Sequence, residues 1–166
     1  MNAADQLPPV AKKYLSNIRS GWKLRLYFLK SLPSAWWWGI KIKSVQPERC
    51  EIILPYSWRT KNPFQSIYFA AQAGAGELST GILANVARLG KGNISMLIVK
   101  QKATFMKKAN STTTFTCEDG LLTQEAVRQA IETNLPQTAT MLSTGRNAQG
   151  EIVSTVQLTW SFKLKN

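Results

Sequence analysis

The chain contains no histidine. This excludes Ser-His-Asp and Cys-His catalysis, imidazole metal sites and any imidazole acid-base step. Cysteine is scarce: Cys50 and Cys117 are the two present, too few for a zinc site built without histidine. They are expected to be buried free thiols of a reducing compartment. Acidic residues are missing altogether between Gln6 and Pro47, a stretch that carries eight basic ones: Lys12, Lys13, Arg19, Lys23, Arg25, Lys30, Lys41 and Lys43. The N-terminal Met1 to Asp5 has neither the basic start nor the following apolar run of an export signal, so a cytoplasmic location is expected.

What remains is a basic, well-packed composition. The 166 residues carry a net charge of +12, and 44% of them are hydrophobic, which argues against disorder. The charge excess points to a polyanionic partner, whether nucleic acid, an anionic membrane or a nucleotide-bearing small molecule, or else to a solvated basic face. No nucleic-acid motif is present, so the first of these is disfavoured.

Periodicity predicts a helix over 9–32, with Val10, Tyr14, Ile18, Trp22, Leu26 and Leu29 on one stripe. Such a basic amphipathic helix either lies on a membrane surface or packs on a sheet. A strand over 35–45 is expected next, with Trp36, Trp38, Ile40 and Ile42 on one face, paired in a hairpin with Cys50 to Leu54. Gln65 to Ala87 holds a single charged residue, Glu77, among small and apolar ones. Its polar residues and glycines exclude a membrane span and predict a helix buried nearly all round. Further strands are expected over 93–105, with Leu97, Val99, Ala103 and Phe105 on one face, and over 111–118. A short helix, Thr123 to Asn134, is capped by Thr123, and strands over 138–145 and 151–164 complete the chain. The last alternates strictly, from Ile152 to Leu164 on one face and Val153 to Lys163 on the other. The fold class is therefore α+β, a six-stranded antiparallel sheet wrapped around one long helix.

Ser66, Ala70, Ala73, Gly74, Glu77 and Gly81 share one face of that helix. A carboxyl group on a small-residue stripe is desolvated, which raises its pKa and suits it to general-base work. Alternatively it pairs with a basic side chain or reaches a subunit contact.

The run from Asn62 to Gly81 resembles the hotdog-fold thioesterase superfamily, and within it a thioesterase-like branch of mostly undefined function. Asn62, Ser66-Ile67, Glu77 and Gly81 stand where that branch has its Asn, its Ser-Ile, its Glu and its Gly, while Tyr68 replaces the usual His. Phe105 to Ala109 resembles the end of the family's third strand. The resemblance covers about 33–164, which implies a hotdog domain over 33–166 preceded by a basic helical extension, 1–32.

It also implies a homodimer or tetramer with sites at the subunit interface. The ligand would be an acyl-CoA or acyl-carrier thioester, with coenzyme A as part of the substrate and no separate cofactor or metal. Glu77 would activate water or attack the thioester. Asn62, Gln65, Ser66, Ile67, Tyr68, Gly81 and Lys107 would bind substrate. The amides of Ile67 and Tyr68 would stabilise the oxyanion, with Ser66 capping the helix and Asn62 holding the loop or a substrate amide. The Tyr68 hydroxyl can donate a hydrogen bond but is no base at neutral pH. Arg59, Lys61, Arg88, Lys91, Lys107 and Lys108 are candidate phosphate contacts. The alternative function is non-catalytic acyl-CoA or lipid binding, with peripheral contact to an anionic membrane through the N-terminal helix.

Overall fold

The computed structural model describes residues 7–165. Two helices, α1 (Pro9–Arg19) and α2 (Gly21–Ser31), replace the single helix expected over 9–32. The break falls at Ser20, whose backbone is extended (φ −82°, ψ 108°), followed by Gly21. Serine favours helix ends and glycine weakens interiors. The break also reorients the apolar stripe. Ala11, Leu15 and Ile18 of α1 and Leu24 and Phe28 of α2 are buried, whereas Trp22, Leu26 and Leu29 face solvent.

The three tryptophans are helical, not extended. Helix α3 (Pro33–Trp38) starts with Pro33 and ends on Gly39, a left-handed residue at φ 69°. Proline at the first helical position and glycine just past the last are the natural start and stop of a helix. Strand β1 (Lys41–Val45) begins only after this stop and forms the expected hairpin with β2 (Cys50–Leu54).

The central helix α4 (Phe69–Arg88) is followed by β3 (Ile94–Phe105), β4 (Thr113–Cys117), α5 (Gly120–Thr133), β5 (Gln137–Arg146) and β6 (Ile152–Leu164). All six strands pair antiparallel in the order β1-β2-β4-β5-β6-β3, as the hotdog architecture requires. Cys50 and Cys117 are buried free thiols directly opposite each other on β2 and β4. Burial pushes the Cys117 thiol up to about 12, so it is a poor nucleophile. Helix α5 starts three residues before the expected cap: Asp119 precedes it, and the Thr123 hydroxyl donates instead to the Gly120 carbonyl at 2.7 Å.

Glycine lets the sheet close on α4. A Cβ at Gly76 would lie 2.6 Å from the Val156 Cβ of β6, and one at Gly74 would lie 2.7 Å from the Trp38 ring of α3. Buried hydroxyls fix the register: Ser79 of α4 bonds Ser143 of β5 at 2.8 Å, and the Trp160 indole of β6 donates to Thr80 at 3.0 Å. No helix among the described residues is long and apolar enough to cross a membrane.

Strand β3 departs from simple alternation. A bulge between Ile98 and Lys100 shifts its register against β6. An extra residue in a strand reverses the faces beyond it. Met96 and Ile98 therefore pack on the core before the bulge and Ala103, as expected, after it, while Leu97 and Val99 are 66% and 55% exposed; Phe105, on the face of Ala103 but at the strand's end, is 45% exposed against Phe69. This strand lies at the end of the sheet, paired with β6 alone.

Candidate functional site

Glu77 sits midway along α4. Its carboxyl group is mostly buried and its pKa is raised by desolvation. No side chain among the described residues hydrogen-bonds or pairs with it. It borders a half-open cavity of about 290 Å³ lined by Tyr14 and Ile18 of α1, Tyr27 and Phe28 of α2, Met96 of β3 and Trp160 of β6. Arg88 lines the same space, but its guanidinium is held by Asn85 Oδ1 (2.9 Å) and the Ile94 carbonyl (3.2 Å). Gly81, one turn after Glu77, keeps room beside the carboxyl: a Cβ there would lie 3.1 Å from Glu77 Oε1 and 3.3 Å from the Trp160 ring. The result is an unpaired carboxyl in an aromatic, partly desolvated cavity, an environment suited to a general base.

The remaining candidates form a different group. Asn62, Ser66, Ile67, Tyr68 and Lys107 line an open groove of about 680 Å³ at the start of α4, together with Phe69 and Phe105. Asn62 holds the loop, its Oδ1 accepting from the Phe64 and Ser66 amides (3.0 and 3.2 Å) and from the Ser66 hydroxyl (3.2 Å). Ser66 therefore does not cap α4, which begins only after Tyr68. Gln65 takes a left-handed backbone (φ 59°) at the tip of this loop and accepts from Lys61 at 3.3 Å. Tyr68 is half exposed and packs edge-on against Phe69, with centroids 4.7 Å apart.

The oxyanion donors expected at Ile67 and Tyr68 are already committed. The Ile67 amide donates to the Ala109 carbonyl at 2.8 Å and the Tyr68 amide to the Thr60 carbonyl at 2.7 Å. Among the described residues, the Phe69 and Ala70 amides of the first helical turn have no acceptor. Two of the cations expected to contact phosphate are likewise engaged: Lys107 pairs with Glu151 at 2.6 Å, and Lys108 Nζ reaches the Phe64 carbonyl at 3.5 Å. Lys61 is held by Gln65, Lys91 lies outside both sites, and Arg59 lines a third pocket, toward β1.

The groove and the Glu77 cavity share no lining residue. Eight residues of helix, about 12 Å at 1.5 Å per residue, separate Phe69 from Glu77. Sequence reading placed all these residues in one site; within one chain they form two. It also missed the roof over Glu77, supplied by Tyr14, Tyr27 and Phe28. No local pattern marks that long-range contact except the helix-breaking Ser20-Gly21.

Three solved structures illustrate the likeness of fold. A Pseudomonas aeruginosa protein described as of unknown function and a "probable thioesterase" is 15% identical, with a TM-score of 0.71 over 85% of this chain and 94% of that one. A protein of unknown function from Chlorobaculum tepidum is 10% identical, with a TM-score of 0.74 over 91% and 98% of the two chains. A Haemophilus influenzae thioesterase is 18% identical, with a TM-score of 0.61 over 85% and 90%. At these identities the likeness carries the fold. Among curated proteins nothing matches. The family model described as a domain of unknown function, DUF4442, matches residues 22–162, from within α2 almost to the end of β6, and the chain belongs to that family.

Proposed function

We propose that this protein is an acyl-thioester hydrolase in which Glu77 is the general base or the nucleophile. The observation that carries the reading is the unpaired, desolvated Glu77 carboxyl facing an aromatic cavity beside Gly81. As a base, the carboxylate takes a proton from water while the water oxygen bonds to the thioester carbonyl carbon. The tetrahedral oxyanion collapses, the C–S bond breaks, and the proton passes to the departing thiolate. As a nucleophile, the carboxylate forms a mixed anhydride and expels the thiolate, and water then releases the acid.

The two half-sites meet if two copies pair through β3. That strand presents a free edge of twelve residues with Leu97 and Val99 exposed, and natural proteins rarely leave such an edge open. A two-fold antiparallel pairing sets residue i opposite j and j opposite i. The Glu77 cavity touches β3 at Met96 and the groove touches it at Phe105. Pairing centred near residue 100 therefore lays the groove of one copy beside the Glu77 cavity of the other. The open Phe69 and Ala70 amides, at the positive end of the α4 dipole, then face the reacting carbonyl.

Tyr68 in the place of the family's usual His favours a second reading, acyl-thioester binding without hydrolysis. A panel of acyl-CoAs offered to wild type and Glu77→Ala separates the two. Hydrolysis that falls in the variant supports the enzyme. Equal rates contradict the role of Glu77, and tight binding with no thiol release in either protein favours the binding module.

A further inference from the structure

Helix α2 has two apolar faces. At 100° per residue, Leu24 and Phe28 point to the core, while Trp22, Leu26 and Leu29 form a second stripe on the opposite side. These three are 65%, 58% and 51% exposed. Arg25 flanks the stripe on one side, and Lys23 and Lys30 on the other.

Beyond Arg25 lies a pocket of about 320 Å³ between α2 and the loop after β2. Arg25, Lys41 and Arg59 line it with Ser57, Trp36 and Phe28, and no carboxylate borders it. None of the three cations has a hydrogen-bond or ion-pair partner among the described residues. Trp58, next in the chain to the pocket's Arg59, and Trp37, next to its Trp36, are exposed and in edge-to-face contact, with centroids 5.4 Å apart. Amphipathic indoles of this kind favour the boundary between water and lipid.

We infer that this face docks on an anionic phospholipid bilayer, with the Trp22–Leu26–Leu29 stripe and the Trp37–Trp58 pair seated among the acyl chains and a headgroup phosphate held by Arg25, Lys41 and Arg59. Charge decides the occupant. A second copy would bring the same unpaired cations against themselves, whereas a phosphate surface neutralises them. The inference does not depend on hydrolysis by Glu77, although it places the roof of the acyl cavity against a source of long-chain substrates. Phe28 borders both the basic pocket and the Glu77 cavity.

The test is co-sedimentation of the full chain with vesicles. Phosphatidylcholine containing about 30% phosphatidylglycerol should pull the protein down at low salt, and pure phosphatidylcholine should not. The combined Arg25→Gln, Lys41→Gln, Arg59→Gln variant should lose roughly a hundredfold in affinity for the anionic vesicles. The Trp22→Ser, Leu26→Ser, Leu29→Ser variant should lose at least about tenfold. Both should melt at the wild-type temperature, because they alter exposed side chains; if either melts lower, the single variants Arg25→Gln and Trp22→Ser replace it. Absence of wild-type binding, or variants that bind as wild type does, would overturn the inference. So would a change of oligomeric state in the serine variant with lipid binding intact, which would assign the stripe to a second copy.

Discussion

At the scale of single residues, packing against α4 explains which small side chains are required. A Cβ at Gly76 collides with Val156, whose branched side chain is fixed on β6 and fully buried. Gly76→Ala should therefore destabilise the protein by about 1–3 kcal/mol despite alanine's better helix propensity, as measured by urea unfolding. A gain in stability would show that the sheet can move away from the helix. Gly81 differs in kind, because the space it leaves lies beside the Glu77 carboxyl. Gly81 was legible as one of the small residues sharing a face with Glu77. The residues that face Gly76 and Gly81 were not, because Val156 and Trp160 lie some eighty residues away in the chain.

At the scale of elements, the strands with one buried face were legible and those with interruptions were not. Strand β6 alternates from Ser154 to Phe162, the face that packs on α4, and departs from the expected pattern at Val153, which is buried where the pairing with β5 shifts register. Strand β3 carries as many apolar residues, but its bulge at Val99 exchanges the faces, and no residue there announces a bulge. The tryptophan run satisfied strand alternation, yet Pro33 and Gly39 bracket it as a helix; the end signals outweighed the period. The exposed edge of β3 leads to a direct expectation. Leu97→Glu with Val99→Glu should convert a dimer of twice 18.5 kDa to a monomer in light scattering, with the circular dichroism spectrum retained. A wild type that is already monomeric would remove the basis for composite sites.

At the scale of the whole molecule, the proposed pairing through β3 joins a groove on one copy to a carboxyl on the other. Asn62 and Glu77 stand in one motif in the sequence but in separate sites in one chain, since a helix carries them apart. Mixing Asn62→Ala with Glu77→Gln protein and allowing subunit exchange should therefore restore activity to about a quarter of the wild-type rate, because half the dimers are mixed and each holds one intact site. No recovery would place each site within one chain. Whether a desolvated Glu77 drives hydrolysis is decided by measuring kcat/KM and melting temperature together for Glu77→Gln across pH. The folded-state pKa of Glu77 is raised by burial. The native protein therefore binds more protons than the unfolded chain above the ordinary carboxylate range, and the carboxylate costs stability increasingly as pH rises through the raised pKa. Glu77→Gln should lose about 10²- to 10⁴-fold in kcat/KM on acyl-CoA. The same variant should melt higher than wild type at pH 7, with the difference shrinking as pH falls below the ordinary carboxylate range, where Glu77 becomes protonated in both states. A variant that hydrolyses acyl-CoA at the wild-type rate, with a stability difference from wild type that does not change with pH, would contradict a catalytic role for Glu77.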